Sequence, residues 1–139
     1  MDVLIIILFA AVLIVGGLLF AVITFTKKGP ATLNVEQYRI KWLSIEHQIK
    51  RDEESSYHLA IMNADKLLDK ALQERNVRGN TMGERMKTAQ QSWSNANAVW
   101  GAHKLRNRIA HESDIRVQYD HARGALAAFK QALKDVGAI

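Results

Sequence analysis

Val99-Trp100-Gly101-Ala102-His103-Lys104-Leu105-Arg106-Asn107-Arg108-Ile109-Ala110-His111-Glu112 decides how this chain folds. Val99, Ala102, Leu105 and Ile109 recur at steps of three and four, the spacing that lays apolar side chains along one face of an α-helix. Beside that stripe runs a second one, His103, Asn107 and His111, whose members stand one helical turn apart. The stretch therefore reads as a helix with an apolar face toward a core and a polar face that carries chemistry.

The same period extends in both directions. Upstream, Val35, Tyr38, Trp42, Ile45 and Ile49, then Leu59, Met62, Leu67 and Ala71, repeat at helical spacing. Asn34 is a suitable N-cap. Lys50 to Ser56 has no apolar residue and no helix breaker, so one long, straight or bent, helix from Asn34 to about Arg75 is expected, with two helices meeting in this stretch as the alternative. Asn76 to Asn80, with Gly79, reads as a turn. Thr81-Met82-Gly83-Glu84 fits a capping box, opening a helix that carries Met86 and Ala89 inward. Ser94-Asn95 restarts or bends the chain. Downstream, Ser113-Asp114 reads as the cap of a last helix with the stripe Ile115, Tyr119, Ala122, Leu126, Phe129, Leu133. Runs alternating at period two are absent. The expected fold is all-α, an antiparallel bundle of about four helices with short connections.

Ahead of the bundle, Val3 through Thr26 contains no charged residue. At about 1.5 Å per residue it would reach about 36 Å as a helix, against a bilayer core of about 30 Å. A cleaved signal peptide has a basic start and a shorter apolar run. Here only Asp2 precedes the run and Lys27-Lys28 follow it, so a retained transmembrane helix is the better reading. Basic flanks favour the cytoplasmic side. The expected topology is a single-pass cell-membrane protein with its N-terminus outside and its C-terminal domain cytoplasmic. The expected organisation is an anchor with basic flank over 1–28, a linker over 29–33 around Pro30, and the bundle over 34–139. Gly17 and Ala21 are a small-xxx-small pair suited to helix contact in lipid.

The 139 residues include no cysteine, which excludes disulfides and thiolate metal sites. The net charge is +5, and only Asp2 of the 14 acidic residues precedes Lys27, so the chain from Lys27 onward carries a formal +6. A basic module beside a membrane has two anionic partners within reach, lipid headgroups and nucleic acid. Glu46-His47 lacks further ligands at metal-site spacing, and no metal or cofactor is expected. Trp42, Trp93 and Trp100 read as core or interface residues. Asp65 and Asp69 read as solvated or lysine-paired, with support of an arginine as the alternative.

Arg106 and His111 have the properties that metal-free RNA cleavage requires. The guanidinium is always charged and fits phosphate geometry. The imidazole exchanges a proton near neutrality. Asn107 can orient either group. Arg106-Asn107-x-x-x-His111 near the join of the last two helices of a small helical domain resembles the HEPN superfamily. The architecture matches from about Asn34 to Val136, and the specific residues from Trp100 to Glu112. The resemblance implies a homodimeric, metal-independent endoribonuclease acting on RNA, of toxin–antitoxin or defence type, with an antitoxin or other regulatory protein as partner. It carries over Arg106 and His111 as catalytic, with Asn107, His103 and Arg108 in support. In one branch of that family a tyrosine stands two residues after the histidine and is modified by a partner. Ser113 occupies that place here, so that form of regulation is not expected. Another class of function is a non-catalytic helical interaction module that holds a protein partner or nucleic acid at the membrane.

Overall fold

The computed structural model describes residues 3–25 and 32–139. They fall into two compact units on either side of position 31. Asp2, the basic pair Lys27-Lys28 and most of the proline-containing linker lie outside the described residues.

Helix α1 (Val3–Phe25) has no charged residue and buries none of its side chains within the protein. It is long and apolar enough to cross a membrane. Its one polar side chain near the C-terminal end, Thr24, returns a hydrogen bond to the carbonyl of Phe20, as hydroxyls in helices commonly do.

The second unit is an all-helical antiparallel bundle of α2 (Val35–Gln48), α3 (Glu54–Glu74), α5 (Ala96–His111) and α6 (Tyr119–Asp135), with a short α4 (Met82–Thr88) against it. Central to it is α3, which packs on α2, α4, α5 and α6. Ile61, Leu68 and Leu72 of α3 are fully buried, together with Phe129 and Leu133 of α6 and Val99 of α5.

Three caps form at the residues the pattern singles out. Asn34 accepts the Gln37 N–H at 3.2 Å, and Asn95 accepts the Ala98 N–H at 3.1 Å. Thr81 accepts the Glu84 N–H at 3.2 Å, while the Glu84 carboxylate reaches back to the Asn80 N–H at 2.6 Å. This is a capping box whose return bond falls one residue early. In the preceding turn Gly79 has φ +153°, and an added Cβ would lie 2.7 Å from the backbone nitrogen of Arg85. Gly79→Ala is therefore expected to destabilise the bundle by about 2 kcal/mol, because an L side chain meets both the wrong dihedral and a backbone atom. A thermal melt measures it; an unchanged or higher midpoint would contradict the assignment.

Two expectations need correction. The single helix from Asn34 to Arg75 is in fact two, broken over residues 49–53. Ile49 turns extended and Asp52 adopts φ 70°, a left-handed position that aspartate tolerates. The backbone donors freed by the break are taken by the first turn of α3. Ser56 Oγ accepts the Lys50 N–H at 2.9 Å, and the Tyr57 hydroxyl oxygen accepts the Asp52 N–H at 3.0 Å. With no apolar residue from Lys50 to Glu53 and Ile49 still packed against the core, folding back costs little burial and lets Trp42 and Ile45 pack on α3.

Likewise α6 starts at Tyr119, and Ser113-Asp114 lies in the preceding loop. Ile115 and Val117 are both buried from an extended segment. The Val117 N–H is held at 2.8 Å by Glu54, the first residue of α3. That bond, with Tyr119 edge-on to Tyr57 at 5.7 Å, ties the α5–α6 loop to the start of α3 and delays the helix.

Candidate active site

The polar face of α5 turns toward α3 and meets one carboxylate there. Asp65 stands among Ile61, Ala64, Leu68 and Leu72 on the core-facing side of α3 and is only 3% exposed. A carboxylate so deep needs partners, and it has two. His103 Nδ1 lies 2.7 Å from Asp65 Oδ1, and Arg106 Nε lies 3.4 Å from Oδ2. Asn107 Nδ2 lies 3.3 Å from His103 Nε2, and Arg106 Nη1 donates to Asn107 Oδ1 at 3.0 Å.

These four contacts close a ring with one consistent direction. Arg106, which is a donor only, gives to Asn107 through Nη1 and faces Asp65 as an ion pair, its buried Nε making no hydrogen bond. Asn107 then has its amide N–H left for His103 Nε2, which must accept. His103 therefore carries its proton on Nδ1 and gives it to Asp65, an acceptor only when ionised. Reversing the Asn107 amide would set donor against donor at Arg106. Both nitrogens of His103 are thus occupied, which makes it a positioning group. The Arg106 side chain is 31% exposed, and its Nη2 makes no hydrogen bond among the described residues.

The ring forms one wall of a cleft of about 950 Å³, shared with Lys66, Trp100 and Lys104. The Trp100 ring stands edge-on to His103 with centroids 6.1 Å apart. Lys104 is exposed and has no ion pair or hydrogen bond among the described residues.

His111 and Arg108 stay outside this cluster. His111 ends α5, is exposed, and makes no hydrogen bond or ion pair among the described residues. Five residues from Arg106, it lies about 140° further round the helix axis, given about 3.6 residues per turn, so one copy of α5 does not aim both at one point. Arg108 is exposed and pairs with Glu112 at 3.1 Å, which raises its pKa further above the usual arginine value.

Sequence reasoning undervalued Asp65, taking it as solvated or lysine-paired. Its signal was its register: position 65 falls inside the apolar stripe formed by residues 61, 64, 68 and 72. Asp69 is held by Arg85 instead of a lysine, through two bonds of 2.6 and 3.0 Å. Trp42 and Trp93 are buried in the core, the Trp93 indole donating to the Met86 carbonyl at 2.9 Å. Among the described residues no three His, Asp or Glu side chains gather as metal ligands; Glu46 accepts from Lys130 at 3.0 Å. Compared with protein-family models, with curated proteins and with solved structures, the chain matches none.

Proposed function

We propose that the helical unit is a HEPN-type, metal-independent endoribonuclease, tethered by α1 to the cytoplasmic face of the cell membrane and active as a homodimer. The observation that carries this reading is the Asp65–His103–Asn107–Arg106 ring on a cleft wall, with His111 free at the end of the same helix.

Cleavage of RNA by its own 2′-hydroxyl forms a bond from that oxygen to phosphorus and breaks the bond from phosphorus to the 5′-oxygen. A base takes the 2′ proton, an acid protonates the departing 5′-oxygen, and a cation holds the extra charge on the phosphoryl oxygens. Arg106 suits the last task because Asp65 and Asn107 fix its guanidinium while an Nη2 edge stays available. An arginine oriented before the substrate arrives needs no reorganisation in the transition state. His111, exposed and unbonded, suits proton transfer. A two-fold pairing through the α5 ends would supply two histidines, one for each proton, and would answer the divergence of Arg106 and His111 within one copy. An antitoxin or other regulator would act by covering that shared cleft.

The products test this chemistry. The full chain in detergent should leave 2′,3′-cyclic phosphate and 5′-hydroxyl ends, and a strand with a single 2′-deoxy residue at the cut should resist there. Ends bearing 5′-phosphate, or cutting of the deoxy strand at the same rate, would rule out this mechanism.

One observation favours a second reading. The contacts of the ring are all internal to the helical unit and would by themselves pin α5 to α3, as a non-catalytic interaction module would need. Failure of the full chain to cut any RNA would favour that reading.

A further inference from the structure

A second groove, of about 600 Å³, runs between α2 and α3. Positions 41, 44 and 48 of α2 and 63, 66, 70 and 73 of α3 recur one turn apart, so each helix turns one polar row toward it. Three lysines, Lys41, Lys66 and Lys70, line it together with Ser44, Gln48 and Asn63. All three lysines are exposed. Asn63, Lys66 and Asp69 line both this groove and the Arg106 cleft, which makes the two continuous. We propose that the α2–α3 groove is a binding track for the phosphate backbone of single-stranded RNA, gripped by Lys41, Lys66 and Lys70 and leading past Lys66 and Lys104 to Arg106. The identity of the ligand rests on the ribonuclease reading above.

Two of the three lysines, Lys41 and Lys66, make no ion pair among the described residues, and the third, Lys70, has an exposed pair with Glu74. Lys66 also makes no hydrogen bond among the described residues. Lys41 lies beside Lys70, and that second ammonium holds Lys41 below the usual lysine range. A phosphate seated there relieves the repulsion. The carboxylates nearby are engaged: Asp69 by Arg85 and by the Gln73 amide at 2.9 Å. Glu74 accepts from the Tyr38 hydroxyl at 2.8 Å, with Lys70 3.8 Å from its other oxygen. Ser44, Gln48 and Asn63, the last held to Gln48 at 3.0 Å, share the floor of the groove with the apolar Ile45 and Leu67.

A cationic groove that tracks a flexible backbone, next to an exposed aromatic face, is how proteins hold single strands without reading sequence. The half-buried Trp100 supplies that face in the adjoining cleft. A lipid headgroup would use the lysines but would leave the continuation to Arg106 and Asn107 without purpose.

The test is fluorescence anisotropy of the full chain in neutral detergent with a labelled single-stranded RNA, 2′-O-methylated so that it cannot be cut. The Lys41→Gln/Lys66→Gln/Lys70→Gln variant should bind at least about tenfold more weakly near 0.1 M salt, with the salt slope reduced by about 2, as expected for three lost contacts to a single strand. Lys87→Gln/Lys134→Gln, which removes two exposed lysines from α4 and α6, should stay within twofold of the parent, and melting of both variants should match the parent. Equal binding by the groove variant, equal weakening by the control variant, or no binding by the parent would each overturn the track. If the parent cuts unmodified RNA while the groove variant binds and cuts as well as the parent, the track fails and the ribonuclease reading survives. If nothing is cut but binding is lost in the groove variant alone, the track stands and the ribonuclease reading fails.

Discussion

Asp65→Ala is expected to cost the helical unit about 3 kcal/mol. Removing one partner from a buried charged cluster leaves the others uncompensated, a loss of about 3–5 kcal/mol where burial is complete. The lower end applies here because Arg106 is about one-third exposed and water can replace part of its lost partner. The His103 ring is 9% exposed, so its Nδ1–H loses an acceptor where water has little access. In a domain of this size the change lowers the melting midpoint by on the order of 10–20 °C. Asp65→Asn keeps the shape and one acceptor, and should lose roughly half as much. A double-mutant cycle of Asp65→Ala with His103→Ala should show coupling of about 1 kcal/mol or more, as contacting residues do. Additive losses, or a midpoint unchanged by Asp65→Ala, would mean that the ring contributes nothing to holding α5 on α3.

His111→Ala should have the opposite profile, with unchanged stability and abolished chemistry. The side chain is exposed and unbonded, so its removal leaves the core intact and the midpoint within about 2–4 °C, as for surface substitutions generally. A positioned proton-transfer group is worth about 10²–10⁴ in rate, and a dimer loses both copies at once. Arg106→Ala should lose about 10²–10³ through charge stabilisation, together with some stability from the broken ring. Loss of activity in His111→Ala accompanied by unfolding would contradict the placement of His111.

The helical period was plain in the stripes of α5 and α6, because burial on one face writes a period of three to four into any amphipathic helix; in α3 the expected stripe began on the wrong face, since Leu59 is 54% exposed and Ala60, Ile61 and Ala64 face the core instead. Asn34, Asn95 and the Thr81–Glu84 pair were legible because capping is local, its partners three residues away. What escaped notice depends on partners far along the chain. The break after α2 is stabilised by Ser56 and Tyr57 from the next helix. The late start of α6 is set by Glu54, whose carboxylate meets Val117 across 63 positions. The candidate site divides the same way. His103, Arg106 and Asn107 lie within one turn of a single helix and were readable together. Asp65 comes from another helix, and only its place in an apolar stripe announced that something polar must face it.

The most direct test of the central claim is cleavage of single-stranded RNA by the full chain in excess EDTA, with the parent and His111→Ala compared at equal concentration. The account predicts that the parent cuts under chelation and that His111→Ala cuts at least about 100-fold more slowly, the lower bound for a lost proton-transfer group. Cleavage that stops with chelator, or that proceeds equally in His111→Ala, would contradict it.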